Sequence, residues 1–206
     1  MRFFKSKCEI NKGCRYTLRI NHLKIMNRIL LLSVIMMFGF SSERLVKTKV
    51  SDGIMIGLPA GLIPMSEDDL TQRYPSVRAP LAAFTNVERT VDFSINTSAT
   101  QWPDKDLELA KQFFKSGIFN LFDRVDMIEE GVHVVHKKKL IFFEFESRVN
   151  GNRLKEGERA PVFRYSYIQY LVERDRTLVI SFNCPRDQME QWQQTARAMM
   201  KSLKVR

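Results

Sequence analysis

Residues 167–185 read "YIQYLVERDRTLVISFNCP", and residues 192–205 read "WQQTARAMMKSLKV". The first stretch is two apolar, β-branched and aromatic runs on either side of a charged triplet, Arg174-Asp175-Arg176. That pattern predicts a hairpin with strands over Val162–Glu173 and Thr177–Asn183. Leu178, Ile180 and Phe182 alternate, so they share one face of the second strand. Pro185 then opens a helix to about Leu203, because Met189, Trp192, Ala196, Met199 and Leu203 recur on one side at helical spacing. A helix with one apolar stripe must bury it, and an antiparallel strand pair beside it offers the surface. The class is therefore α+β.

The same reading extends upstream. Val46 to Leu58 predicts two short strands broken at Ser51-Asp52-Gly53, a turn triplet. Gly53, Gly57 and Gly61 fall four apart within "GIMIGLPAGLIP", but Pro59 and Pro64 interrupt the segment, which reads as strand and bulged loop. Ser66 and Asp69 have the spacing of a capping box and open a short helix, Glu67 to Arg73, which Pro75 stops. Val91, Phe93 and Ile95 alternate with Asp92, Ser94 and Asn96, the mark of a half-buried strand, with Leu81 to Thr85 as its neighbour. Pro103, Asp104 and Asp106 suit a first helical turn, and the helix runs to about Phe122. Leu107, Ala110, Phe114, Ile118 and Leu121 form its stripe, Leu109 and Phe113 widen it, and Gly117 marks a place for another backbone to approach. Strands follow over Val125–Glu129, Val132–Lys137 and Lys139–Val149, then a polar loop over 150–160. The expected order is β-β-(α)-β-β-α-β-β-β-β-β-α. Short connections make neighbouring strands antiparallel. The expected architecture is a mainly antiparallel sheet flanked by two long helices.

The N-terminal part reads differently. Ile29 to Phe40 is a run of 12 residues broken only by Ser33 and Gly39. A bilayer-spanning helix needs about 20. The run suits the core of a signal peptide that starts at Met26, takes its positive charge from Arg28 and is cut between Ser41 and Ser42. Residues 1–25 hold seven Lys/Arg and one acid, Glu9, without helical or strand periodicity. They read as a basic extension ahead of the start at Met26. This divides the chain into 1–25, 26–41 and a single domain over 42–206.

Charge follows that division. The chain carries a net +10, of which residues 1–25 and Arg28 supply seven, leaving the domain at +3. A balance so close to neutral argues against a nucleic-acid partner, which would need a dense basic surface. Of three cysteines only Cys184 lies in the domain, so it holds no internal disulfide.

Candidate chemistry is sparse. His133 and His136 are three apart on a strand, so they point to opposite faces and cannot share a metal. Cys184 ahead of Pro185 would sit at a helix N-terminus, where a dipole lowers a thiol's pKa, but no paired base is legible. Glu67, Asp68 and Asp69 fan around a helix axis and serve its dipole. No metal or cofactor is expected. Two surfaces remain as ligand or partner candidates. Lys137, Lys138 and Lys139 are the densest basic run of the domain, at a predicted hairpin turn. In "FRYSYIQY" at 163–170, Tyr165 and Tyr167 share one face and Tyr170 lies on the other.

The segment Leu81–Asn96, the helix Trp102–Phe122, and the closing hairpin and helix quoted above together resemble the PsbP-like fold, over roughly residues 46–206. That fold is named for the extrinsic subunit of the photosynthetic oxygen-evolving complex and is shared by small exported bacterial proteins. The resemblance implies an α/β/α sandwich and a non-enzymatic accessory or binding domain, and it carries over no site residue. The expected protein is periplasmic or secreted, not membrane-spanning after cleavage, and acts on an envelope protein partner. Two other readings stay open. One is a small-ligand binder using the Tyr165/Tyr167 face. The other is an enzyme whose residues meet only in the fold, Cys184, His133 or His136 beside Glu144 or Glu146.

Overall fold

The computed structural model describes residues 44–206 apart from 76–78, 99, 101, 103–105 and 151–159. The basic segment 1–25, the apolar run 26–41, Pro103 with Asp104, and most of the loop 150–160 lie outside the described residues. Among those described, the order is β1 (Leu45–Ser51), β2 (Ile54–Pro59), β3 (Ile63–Pro64), α1 (Glu67–Arg73), β4 (Ala82–Thr85), β5 (Asp92–Ser98) and α2 (Leu107–Leu121). Then follow β6 (Arg124–Val135), β7 (Lys138–Val149), β8 (Val162–Val172), β9 (Thr177–Pro185), a 3-10 turn over Arg186–Gln188, α3 (Met189–Lys201) and β10 (Lys204–Val205). The large sheet has strand order β3-β4-β5-β9-β8-β7-β6, and β1-β2-β10 form a second, small one. Every pairing is antiparallel.

β7 shows how alternation becomes two cores. Ile141, Phe143 and Phe145 are buried with Ala110, Phe114 and Ile118 of α2. Leu140 and Phe142 are buried in the other cluster, with Trp192, Ala196, Met199 and Met200 of α3. Successive side chains of a strand leave opposite faces, so one 12-residue strand serves both helices. The second cluster also takes Ile54, Ile56 and Leu58 of β2. Among the described residues this is a mixed α+β fold with antiparallel sheets and three α-helices, of 7, 15 and 13 residues.

Several expectations are corrected. Val125–Glu129 and the segment from Val132 belong to one strand, β6, which ends at Val135 and has a register irregularity between Met127 and Glu129. Gly131 does not turn the chain. It pairs with Phe142, whose ring lies 3.2 Å from where a Cβ would stand, so the glycine makes room for that ring. The stripe of α2 is narrower than its sequence suggests: Leu109 and Phe113 stay exposed, and Leu121, the last helical residue, is 73% exposed. A helix over a sheet presents only part of its circumference, and Phe113 packs instead on Trp102, ring centroids 5.1 Å apart. No heavy atom lies within 4 Å of a Cβ built at Gly117, so no backbone approaches there. α3 begins at Met189 and not at Pro185, which with Cys184 still belongs to β9. The capping box of α1 forms as read: Asp69 N donates to Ser66 Oγ at 3.2 Å, and the Asp69 carboxylate faces Ser66 N at 3.4 Å.

The β6–β7 turn falls on His136 and Lys137, one residue earlier than the lysine run suggests, so Lys138 and Lys139 are strand residues. Both turn residues have positive φ, 46° and 70°. This is the geometry of a two-residue hairpin that Asn-Gly ordinarily fills. L-residues hold it at a cost of about 1–2 kcal/mol each. His136 Nδ1 donates to the carbonyl of Leu203 at 2.9 Å and so fastens the turn to the chain just after α3.

Candidate functional site

The strained turn brings the lysine run beside a second hairpin. Lys137, Lys138 and Lys139 line one open cleft of about 800 Å³ with residues 173–176 of the β8–β9 turn. Five cations meet two carboxylates there. Glu173 is half-buried between Lys138 Nζ at 2.8 Å and Arg176 Nε at 3.0 Å. Burial raises its pKa, but the hydrogen bonds from Lys138 and Arg176 outweigh it and hold the carboxyl below the usual range. Lys137, Lys139 and Arg174 make no ion pair with any described residue, so their charge faces the cleft. The arrangement can attract and hold an anionic group or an acidic surface.

The tyrosines lie elsewhere. Tyr165 and Tyr167 do share a face, but Tyr165 is 0% and Tyr167 3% exposed. As lining for an open groove Tyr165 is corrected: it is core, because α3 lies over that face of β8. Its phenol donates to Glu144 Oε1 at 2.9 Å, and burial, with the Glu144 charge adding, raises its pKa far above the ordinary phenol value. Tyr167 is pushed up to about 12, mainly by burial, and forms part of the wall of a recess of about 490 Å³ beside His133 and Phe142. Tyr170, on the opposite face, stacks on Phe114 at 4.0 Å.

Glu144 is the group that sequence reading undervalued. It is fully buried, yet it also accepts from Gln193 Nε2 at 2.7 Å and Arg197 Nε at 2.8 Å. The alternation Phe143-Glu144-Phe145 on a strand could have flagged it, since it places the carboxylate on the face opposite two core phenylalanines. Its three partners come from β8 and α3, 21, 49 and 53 residues away, and no local spacing announces them.

Of the residues of the dispersed-enzyme reading, His133, Glu144, Glu146 and Cys184 project from one sheet face without joining, and His136 lies in the β6–β7 turn. Register places His133 opposite Leu140, Glu144 opposite Tyr167, and Cys184 opposite Tyr165. Cys184 is buried in a strand, and burial pushes its thiol up to about 12, the reverse of activation. Glu146 pairs with Arg186, and His136 with the Leu203 carbonyl. His133 stacks on Phe142 and meets Gln169 Nε2 at 2.8 Å. Among the described residues no group of three or more His, Cys, Asp or Glu could hold a metal.

His133 gives a pH dependence. Burial, with Lys201 nearby adding to it and Glu129 opposing, lowers its pKa below the ordinary histidine value. The unfolded chain therefore takes up this proton first. Stability from the neutral ring is complete above about pH 6.5 and is lost as pH falls through the lower folded value. Urea denaturation between pH 7.5 and 5 will show the parent losing stability faster than His133→Gln, which keeps an amide partner for Gln169. Parallel curves would remove His133 as the titrating group.

The assembly of sheet and helices defines a PsbP-like fold. The solution structure of cyanobacterial PsbP (CyanoP) from Synechocystis sp. PCC 6803 superposes with a TM-score of 0.54 at 13% identity, covering 82% of this chain and 96% of that one. The Ran-binding protein Mog1p of Saccharomyces cerevisiae matches with a TM-score of 0.49 at 15% identity, over 78% of this chain and 96% of that one. A Pseudomonas aeruginosa protein of unknown function, PA94, described as a putative regulator, gives 0.44 at 9% identity, over 79% and 98%. No family model matches the chain, and no curated protein does. At these identities the likeness is one of fold.

Proposed function

We propose that this chain is an exported accessory domain that binds a protein partner of the bacterial envelope, without chemistry of its own. In this reading the segment from Met26 directs export and is cut between Ser41 and Ser42. The working part is a PsbP-type α/β/α sandwich acting in the periplasm. The observation that carries the reading is the cationic cleft at the two hairpin turns, where Lys137, Lys139 and Arg174 have no carboxylate partner among the described residues, on a domain close to neutral overall. Unneutralised charge gathered at one corner suits docking to an acidic protein surface, for which complementarity sets encounter rate and orientation. Among the described residues no helix is long and apolar enough to cross a membrane.

The test is made in cells. Fractionation with intact mass will recover a product starting near Ser42 in the periplasm, and in-cell cross-linking will join it to an envelope protein. Charge reversal at Lys137, Lys139 and Arg174 together will reduce that cross-link at least tenfold with the melting temperature preserved. A cytoplasmic product starting at Met1, or a cross-link indifferent to the three reversals, would overturn the reading.

A further inference from the structure

On the other side of the His136–Lys137 turn lies a second, larger cleft of about 880 Å³, built by the small sheet and the chain end after α3. Its volume falls within the range of about 300–1,000 Å³ typical of small-molecule sites. Two kinds of surface meet in it. Leu45, Met55 and Val205 supply an apolar lining, and Lys47, Lys49, Lys204 and Arg206 supply cations, with no Asp or Glu among the described lining residues.

The register explains the placement. Lys49 and Lys204 both pair with Met55, one from each neighbouring strand, so two ammonium groups flank one thioether. Lys47 pairs with Gly57, which has no side chain to oppose it. Gly57 is confined: a Cβ there would stand 3.1 Å from Leu45 Cβ and 3.1 Å from Ser202 Oγ. Its N–H donates to Ser202 Oγ at 2.7 Å, and Ser202 in turn donates to the Met199 carbonyl at 2.6 Å. This chain of bonds ties β2 to the end of α3 and sets the cleft on ordered backbone. At the other end Arg206 N donates to the Gly53 carbonyl at 2.9 Å. Of the four cations only Lys49 has an ion-pair partner among the described residues, Asp52 at 2.8 Å, and that pair is open to solvent, where it holds weakly.

We propose that this cleft binds a small anionic amphiphile, a single soluble molecule with a carboxylate or phosphate head and a medium-length apolar body. Gathering unneutralised like charges costs folding free energy through mutual repulsion, and an anionic head relieves it. The apolar body covers the partly exposed side chain of Met55. The site is distinct from the Lys137–Lys139 cleft, and the proposal stands whether or not that cleft binds a protein.

The test uses the full chain and calorimetric titration with decanoate below its aggregation concentration. Decanoate will bind one to one, decanol at least tenfold more weakly, and decyltrimethylammonium without measurable heat. Inorganic phosphate alone will also bind at least tenfold more weakly than decanoate. Lys47→Glu with Lys204→Glu, at solvent-facing strand positions, will lower decanoate affinity at least tenfold, while Lys139→Glu in the other cleft leaves it unchanged. Equal binding of the three decyl probes, or decanoate affinity unaltered by the Lys47/Lys204 reversals, would overturn the proposal and point to the apolar run at 29–40. Binding to anionic phospholipid vesicles with none to free decanoate would overturn the soluble-ligand assignment.

Discussion

Arg197→Ala will lower the unfolding free energy by about 3 kcal/mol, read as a fall in the urea midpoint at unchanged slope. Glu144 is fully buried and Arg197 supplies its charged partner at 2.8 Å. Removing one side of a buried ion pair strands the other, and the cost is typically about 3–5 kcal/mol. The lower end applies because the Arg197 side chain is 38% exposed, so water already stabilises part of the pair's alternative. Tyr165 and Gln193 still donate to the carboxylate in the variant and limit the loss. The hydrogen bond that Arg197 donates to Glu144 raises the Arg197 pKa above its ordinary value, so the guanidinium remains charged at every pH of interest. Adding Glu144→Gln to Arg197→Ala will recover part of the loss, since a neutral amide needs no counter-charge. A fall of less than about 1 kcal/mol for Arg197→Ala, or no recovery in the double variant, would mean that solvent reaches Glu144 and that the pair is not a strut.

Phe143→Ala will cost more, about 4 kcal/mol, within the range of about 3–5 for truncating a buried phenylalanine. Phe143 is 0% exposed and lies edge-on to Tyr170, ring centroids 6.0 Å apart. It belongs to the cluster that seats Ala110, Phe114 and Ile118 of α2. The void would open between the sheet and α2, on the side of a rigid strand that collapses poorly. α2 touches β6 and β7 along one narrow stripe, so its docking rests on few side chains. Near-ultraviolet circular dichroism of the variant will therefore change more than its far-ultraviolet spectrum. A loss under 2 kcal/mol would show that α2 can settle into the gap, and that the cluster on its side of β7 is looser than its burial indicates.

The proposed binding groups and the groups that hold the fold are different residues. Glu144, Arg197 and Tyr165 hold α3 to the sheet and are spent on structure. The cations at the two clefts contribute little to packing, and several have no carboxylate partner among the described residues. Substitution at Lys47, Lys139 or Arg174 should thus alter binding without lowering the melting temperature, so that lost binding is not lost folding.

Local pattern alone determined a good part of the fold. β5, the β8–β9 hairpin, α1 with its cap and the stripe of α3 were legible because each rests on a repeat of two or on helical spacing within a few residues, and the PsbP-like order followed from their succession. The lysine run was legible as charge. The tertiary structure decided the rest. It joined the segments on either side of Gly131, because Phe142 on a neighbouring strand needed the space of the missing side chain. It drew α2 away from Leu109 and Leu121, because a sheet covers only one side of a helix. It converted Tyr165 from a surface candidate to core and made Glu144 the centre of a buried cluster. The second basic cleft joins β1, β2 and the last residues, about 150 positions apart in sequence. Strand pairing is set by which distant segment completes each hydrogen-bond ladder, and the alternation within a segment carries no record of that choice.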